Sequence, residues 1–492
     1  MNSFKQSSNC LVSARFGQCS SRLMVTALLL LGSFSCGSPT TRKMAASTLP
    51  IAASPALSPL LDGEETVCAL PDESVLSRGG EYSTNVDLVS SVALPGTAGV
   101  DVVMTPFGAI AAVNTESGAA LHWIDPASGE TRLTRELPNP VSDIAFDGEE
   151  TLAIADGQGV VVLSAASGDR LREVSLRGAK RVSIAADGHV AVIADKTVHL
   201  FDRDLSQDQQ LFSKVRDYTE VTDVELLSCG NNSLVYVTSF QNAYFTDIEN
   251  KRNPVQIARL EALDFSGNVA WSLFSNRTEE IKQNVADTRL YRVTLGRDGY
   301  LYIGGESAGT ATIFRWQGLP LGEDEQYGRS RPFVTRTDAN TQLHNSASAH
   351  ITYYARVHPT KGELVTSQII FPRLPDTKSN TMRIGDIATS EGGQLYFGGV
   401  AYKSIPNRDG LTLNGASVGS YEGGDRTWLS VSPNFRDRNF WTVLAEEGGK
   451  GIVQGVDAGY GYSAALSNVE SGTVPVTVGA QSGSVFLSFV VE

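Results

Sequence analysis

Seven times along the chain a short unit recurs: a polar residue, a hydrophobic one, any residue, a small or hydrophobic one, and then a turn glycine that opens a strand-like run. The copies begin at Asp101, Asp143, Arg181, Asp223, Arg292, Asp386 and Gln454. In six of them the glycine falls seven residues on, as in Arg181 to Gly188 and Asp386 to Gly393; in the second, Asp143 to Gly148, it comes two residues sooner. A unit of roughly 40 to 60 residues made of short strands cannot bury its apolar face alone and must stack on its neighbours. The pattern therefore predicts an all-β fold, a β-propeller in which each repeat is one blade.

After each glycine the residues alternate as a half-buried strand does, as in His189-Val190-Ala191-Val192-Ile193 and Tyr300-Leu301-Tyr302-Ile303. Asp187-Gly188 and Asp298-Gly299 are hairpin turns by composition. A second set of turns, at 125–129, 164–168, 202–208, 264–267, 358–362 and 432–434, separates a third strand from a fourth. Six such turns accompany seven leading strands, because the last repeat ends in its third strand, at 484–492. The N-terminal run Val86 to Leu94 has no repeat of its own and supplies the missing fourth strand, which would leave no free sheet edge. This favours seven blades closed by residues 86–94; the long insertions leave six or eight open.

Between residues 384 and 446 the repeat becomes more specific: Gly385-Asp386-Ile387-Ala388, Gly393-Gln394-Leu395-Tyr396-Phe397-Gly398-Gly399, Ile405-Pro406 and Gly423-Gly424-Asp425-Arg426-Thr427-Trp428-Leu429. This resembles the bacterial SBBP-type propeller repeat, and residues 223–492 match it more loosely. The resemblance implies a secreted or surface-attached propeller and brings no shared catalytic residues.

The first 35 residues hold Lys5, Arg15 and Arg22, no acid, and an apolar stretch from Leu23 to Phe34. Twelve residues are too few to span a bilayer and suit the core of a secretory signal. Small residues at Ser33 and Ser35 fit signal peptidase cleavage after Ser35, while Cys36 fits a lipoprotein signal in which this cysteine is acylated. Cysteine parity favours lipidation: removing 1–35 leaves Cys36, Cys68 and Cys229, and acylating Cys36 leaves one candidate disulfide, Cys68 with Cys229. Residues 36–77, rich in Ser, Thr, Pro and Ala, read as a tether, and 78–492 as a single propeller domain with an insertion at about 305–349. The net charge of −14, or −17 without the three basic residues of the signal, opposes nucleic acid or an anionic bilayer as a partner. Membrane attachment is then expected only through the N-terminal lipid, at the outer membrane or cell surface, with a periplasmic or secreted protein if Cys36 stays unmodified.

The leading residues of the repeats should line the central channel. Asp101, Asp143, Asp223 and Asp386 are candidates for a divalent cation site, since carboxylates crowded together raise one another's pKa unless a cation relieves them. The competing reading is a ring of Asp–Arg contacts between blades, and no other cofactor is expected. His344, His350 and His358 do not have the spacing of a metal site. Gly415-Ala416-Ser417-Val418-Gly419 has the form of a nucleophile elbow without the strand and helix that motif needs, and Gly459 to Ala464 imitates a dinucleotide loop without its helix. The fifth repeat carries a long connection with Trp316, Tyr327, Arg329 and Arg331, a candidate binding loop for a protein or glycan. Taken together, these features predict a cell-envelope binding or scaffolding propeller for a protein or polysaccharide. The alternatives are a metal-dependent lyase or lactonase at the channel mouth and an assembly factor for outer-membrane proteins.

Overall fold

A computed structural model of the chain describes residues 83–212, 220–246, 250–274, 286–309, 313–314, 316–317, 329–330, 349–376, 378–478 and 483–492. The chain divides into Met1–Leu57 and Ser58–Glu492, and everything described belongs to the second unit. Cys36, Cys68, His344, Tyr327 and Arg331 lie outside the described residues.

Among the described residues the strands assemble into seven four-stranded antiparallel sheets, with two small accessory sheets. Each of the seven begins with the strand that carries a repeat leader. Those strands are Ala98–Thr105 in sheet 1, Asp143–Phe146 in sheet 2, Ala179–Ile184 in sheet 3, Glu220–Leu227 in sheet 4, Thr288–Leu295 in sheet 5, Met382–Thr389 in sheet 6 and Glu446–Gly459 in sheet 7. Each first strand lies against the first strand of the next sheet, and that of sheet 7 lies against that of sheet 1. The fold is a β-propeller.

The apolar residues of each sheet are buried against its neighbours, so the core is a series of seams with no single centre. One cluster joins sheets 1 and 2 through Ile110, Trp123, Ile144 and Ile154, another joins sheets 4 and 5, and another joins sheets 7 and 1 through Leu466, Phe489, Val102 and Val113. Polar ties cross the same seams: Trp123 Nε1 donates to the Ala165 carbonyl at 2.6 Å and Trp271 Nε1 to that of Pro359 at 2.8 Å.

The N-terminal run departs from the expectation of one strand over 86–94. Only Ser90–Leu94 joins sheet 7, pairing antiparallel with Val485–Val491 as its fourth strand. Asn85–Val86 pairs instead, in parallel, with Thr412–Leu413 beside sheet 6. The break has a local cause: the Leu88 N–H donates to Asn414 Oδ1 at 2.6 Å, and Leu88 is buried with Leu411 and Leu413. An alternating apolar pattern cannot distinguish one strand from two short ones that serve different sheets.

Candidate functional site

Six of the seven first strands slip register by one residue at the same place: between Gly99 and Asp101, Ala179 and Arg181, Val221 and Asp223, Leu290 and Arg292, Ile384 and Asp386, and Val453 and Gly455. A bulge of this kind places an extra residue on one strand and re-aims the side chain after it. The leaders Asp101, Arg181, Asp223, Arg292 and Asp386 all follow the bulge. In sheet 7 the bulged residue is Gln454 itself, so Gly455 holds the leader position and the expectation for Gln454 is corrected. A Cβ on Gly455 would stand 2.8 Å from Asp101 Oδ1, so the missing side chain makes room for that carboxylate.

The leaders tie adjacent sheets together. Asp143 Oδ2 accepts the Val182 N–H at 2.9 Å, Asp223 Oδ2 that of Val293 at 3.0 Å, and Asp386 Oδ2 that of Val456 at 3.1 Å. Arg181 Nη1 lies 2.9 Å from Asp143 Oδ1 with its Nε 3.9 Å from Asp223 Oδ1, and Arg292 Nε is 3.2 Å from Asp386 Oδ1. Among the described residues, Asp101 bonds only the N–H of its neighbour Val102, which donates to its Oδ1 at 2.8 Å. Burial, followed by the charges of Asp386 and Asp143, holds the Asp101 carboxyl well above the usual range. Burial raises Asp386 to about 6, with Arg292 opposing, and burial also raises Asp223.

Two residues further along the same strands lies a second layer, absent from the sequence reading. Glu225 of sheet 4 accepts from Ser183 Oγ of sheet 3 at 2.6 Å and from the Leu295 N–H of sheet 5 at 3.3 Å; burial pushes its carboxyl up to about 7. Asp457 of sheet 7 accepts the Met104 N–H of sheet 1 at 2.6 Å, and burial raises it as well. Arg297, in the turn after the first strand of sheet 5, reaches across to two other sheets, donating to the Ala458 carbonyl at 2.7 Å and that of Met104 at 3.1 Å. Its guanidinium lies over the Tyr460 ring, 4.9 Å from the centroid, where a Cβ on Gly459 would be 2.6 Å from its Cζ. The face on which the first strands end is thus bridged by Arg297. We call it the end face and the opposite one the start face.

Among the described residues no three His, Cys, Asp or Glu side chains are grouped so that they could hold a metal ion. Of the two readings of Asp101, Asp143, Asp223 and Asp386, a divalent cation site and a ring of Asp–Arg contacts between blades, the geometry has the contacts of the second: Arg181 reaches Asp143 and Asp223, and Arg292 reaches Asp386. His350 Nδ1 is 3.1 Å from Glu306 Oε1, and His358 Nδ1 is 3.3 Å from Thr360 Oγ1 in a turn. Ala416–Ser417 is a two-residue strand and Tyr460-Gly461 the turn of a hairpin, so neither glycine motif has the setting its chemistry requires. Cys229 is disulfide-bonded, to a partner outside the described residues. Trp316–Gln317 and Arg329–Ser330 pair as a short hairpin within the insertion of sheet 5.

The sheets differ most where the second strand connects to the third, which is on the start face. In sheets 1 to 3 the second strand ends at Asn114, Ala155 and Ala194 and the third begins at Ala119, Gly159 and Thr197. Sheet 4 instead extends a hairpin of two 13-residue strands, Leu234–Thr246 and Arg252–Asp264, with Tyr244 41% exposed and the Arg252 guanidinium 3.8 Å from its ring centroid. Sheet 5 inserts residues 308–350 after its second strand, in which the buried Glu306 receives Arg289 and the Tyr291 hydroxyl of the first strand, the latter at 2.8 Å. Sheet 6 inserts 402–424, fastened by the Arg408–Asp425 pair (Nε to Oδ2 2.7 Å, Nη2 to Oδ1 2.9 Å), and exposes Tyr402. Sheet 7 lengthens its first two strands. Arg426 of sheet 6 holds them, donating to the carbonyls of Lys450, Ser471 and Thr473 at 2.7, 3.0 and 3.1 Å.

No protein-family model matches the chain, and no curated protein matches it. Among solved structures, hydrazine synthase of Kuenenia stuttgartiensis is 13% identical over 80% of this chain and 98% of that one, with a TM-score of 0.45. The β-propeller domain of Myceliophteria thermophila Cps50 (Swd1) is 13% identical over 62% of this chain and 95% of that one, with a TM-score of 0.34. A chain of the mitotic checkpoint complex is 11% identical over 86% of this chain and 99% of that one, with a TM-score of 0.44. Identities this low carry no activity or partner across.

Proposed function

We propose that this chain is a binding scaffold, a seven-bladed propeller closed by Ser90–Leu94, which takes a protein partner on its start face. The observation that supports this is the concentration of long connections on one face of four consecutive sheets. Loops on a rigid frame are where recognition is usually built. Exposed Tyr244 and Tyr402, with Arg252 beside the first, offer large contact area at low entropic cost. Asp143, Arg181, Asp223, Arg292 and Asp386 are spent on ties between sheets, which suits a rigid frame better than a catalytic centre.

Export follows from the apolar run Leu23 to Phe34, and attachment through acylated Cys36 from the parity of the cysteines. A pairing of Cys68 with Cys229 completes that parity. In this reading the scaffold acts in the cell envelope, held by its lipid and the tether of residues 36–77.

The test is capture of envelope proteins by the chain from residue 66 onward, compared with a form in which residues 243–253 are replaced by a two-residue turn and one that lacks 317–343. Loss of the same captured protein with either change supports the scaffold. Capture unchanged by both, or capture of polysaccharide alone, overturns it.

A further inference from the structure

Aromatic rings hold cations at two places on the start face. On sheet 4 the Arg252 guanidinium lies 3.8 Å from the ring centroid of exposed Tyr244. On sheet 6 the Lys403 ammonium lies 4.8 Å from the ring centroid of Tyr421, and its chain neighbour Tyr402 is 39% exposed. A ring attracts a cation through its quadrupole without neutralising it, so the charge stays available to an anion. Among the described residues neither Arg252 nor Lys403 forms an ion pair with a carboxylate.

The region on sheet 6 gathers further groups. Arg383 pairs with Val400 and Met382 with Ala401, and the Tyr402 N–H donates to the Thr381 carbonyl at 2.9 Å, which continues the ladder. Residues two apart on paired strands share one face, so exposed Arg383 and exposed Tyr402 stand side by side. The Arg373 N–H donates to the Ser404 carbonyl at 2.9 Å and brings a third cation next to Lys403, its guanidinium 4.7 Å from the ring centroid of Phe371.

Most carboxylates of this region are engaged elsewhere. Asp376 pairs with Lys378 at 2.9 Å, Asp425 is buried against Arg408, and Glu422 turns toward sheet 7, where a Cβ on Gly448 would be 3.4 Å from its Oε1. Exposed Asp409 is left against Arg383 and Lys403, so the local balance is positive on a chain whose net charge is −14. An anionic partner is repelled by the rest of such a surface and attracted only here, which fixes where it docks.

We propose that the start face of sheet 6 binds an acidic segment of a protein partner, with carboxylates on Arg383 and Lys403 and the segment's chain against Tyr402. This rests on the scaffold reading and names the chemistry of the partner. The fork of Arg383 suits a carboxylate held by two bonds, and Arg252 with Tyr244 repeats the cation-on-ring arrangement on sheet 4.

The experiment measures binding of a short fluorescent oligoglutamate to the full chain by anisotropy. Arg383→Glu combined with Lys403→Glu should weaken binding at least about tenfold, whereas Arg132→Glu combined with Arg135→Glu, an equal change of net charge on the outer strand of sheet 1, should weaken it less than about threefold. Equal effects of the two pairs, no binding of oligoglutamate, or binding of polygalacturonate in its place overturns the acidic segment. Arg383→Gln and Lys403→Gln, each measured singly, give the same comparison if the double variant does not fold. Capture of envelope proteins by the same variants separates the two ideas. Capture that survives Arg383→Glu with Lys403→Glu and is lost when residues 243–253 are replaced keeps the scaffold and removes the acidic segment. Capture that fails for the unaltered chain removes the scaffold, and oligoglutamate binding still decides the patch.

Discussion

Sheets 1 to 3 and sheets 4 to 7 are built on one plan and finished differently. In the first group the second and third strands are joined by minimal turns, and the seams hold mainly Val, Ile, Ala and Leu. In the second group the same connection grows into a hairpin, two long insertions and an extended strand pair, and buried charge appears with it: Arg408, Asp425, Arg426 and Glu306 are all at most 3% exposed. Apolar seams need only approximate complementarity, whereas a projecting connection must be anchored by specific polar bonds. The elaborated half has therefore taken on buried charged anchors, the Arg408–Asp425 pair and Arg426, where the plain half uses neutral or exposed bonds such as Asn114 to Val141.

The sharpest way to break this comparison is to cut one anchor. Asp425→Ala leaves Arg408 charged and buried, and removing one partner of such a pair costs about 3–5 kcal/mol. Urea denaturation should show that loss. A cost below about 1 kcal/mol would mean that residues 402–424 are not held by the pair. A change of the second size concerns binding. Replacing residues 243–253 should weaken partner capture at least about tenfold, equivalent to about 1.4 kcal/mol, while substitutions at Lys196 in the short turn of sheet 3 leave it unchanged. Equal effects in both halves would erase the distinction between them.

Next comes pH. Burial lifts the Glu225 carboxyl to about 7, above its unfolded value, so the folded protein holds a proton that the unfolded chain releases. The stability this provides is complete below the unfolded value and is lost as pH rises through about 7. Asp386, at about 6, acts in the same direction. Midpoints of urea unfolding should fall between pH 5 and pH 8, by at most about 1.4 kcal/mol per unit for each group, and Glu225→Gln should flatten the slope. A midpoint that rises with pH would contradict the burial of these carboxyls. The smallest effect is expected at the half-exposed Lys180–Glu220 pair between sheets 3 and 4, where Lys180→Ser should cost under about 1 kcal/mol.

How much of this was legible in the chain varies by element. The turns at 125–129, 264–267 and 358–362 were readable because Asp, Pro and Gly specify local geometry. The borrowed fourth strand of sheet 7 was readable because a strand without a repeat needs a partner. Its limits were not, since the bond from Leu88 to Asn414 joins residues more than 300 apart. Gln454 was misplaced because a bulge shifts a side chain by one position without changing composition or spacing. Glu225 and Asp457 carry no signal beyond their strand positions, and Arg297 looks like any residue before an Asp-Gly turn.

The sequence by itself determined the repeat, the strand and turn order and the all-β class, because alternation and turn chemistry act within a few residues. Tertiary structure alone decided which polar leaders meet and that the long connections of sheets 4 to 7 share one face. Those outcomes depend on distances between residues far apart in the chain, set only when the sheets pack and burial fixes the charge each group can carry.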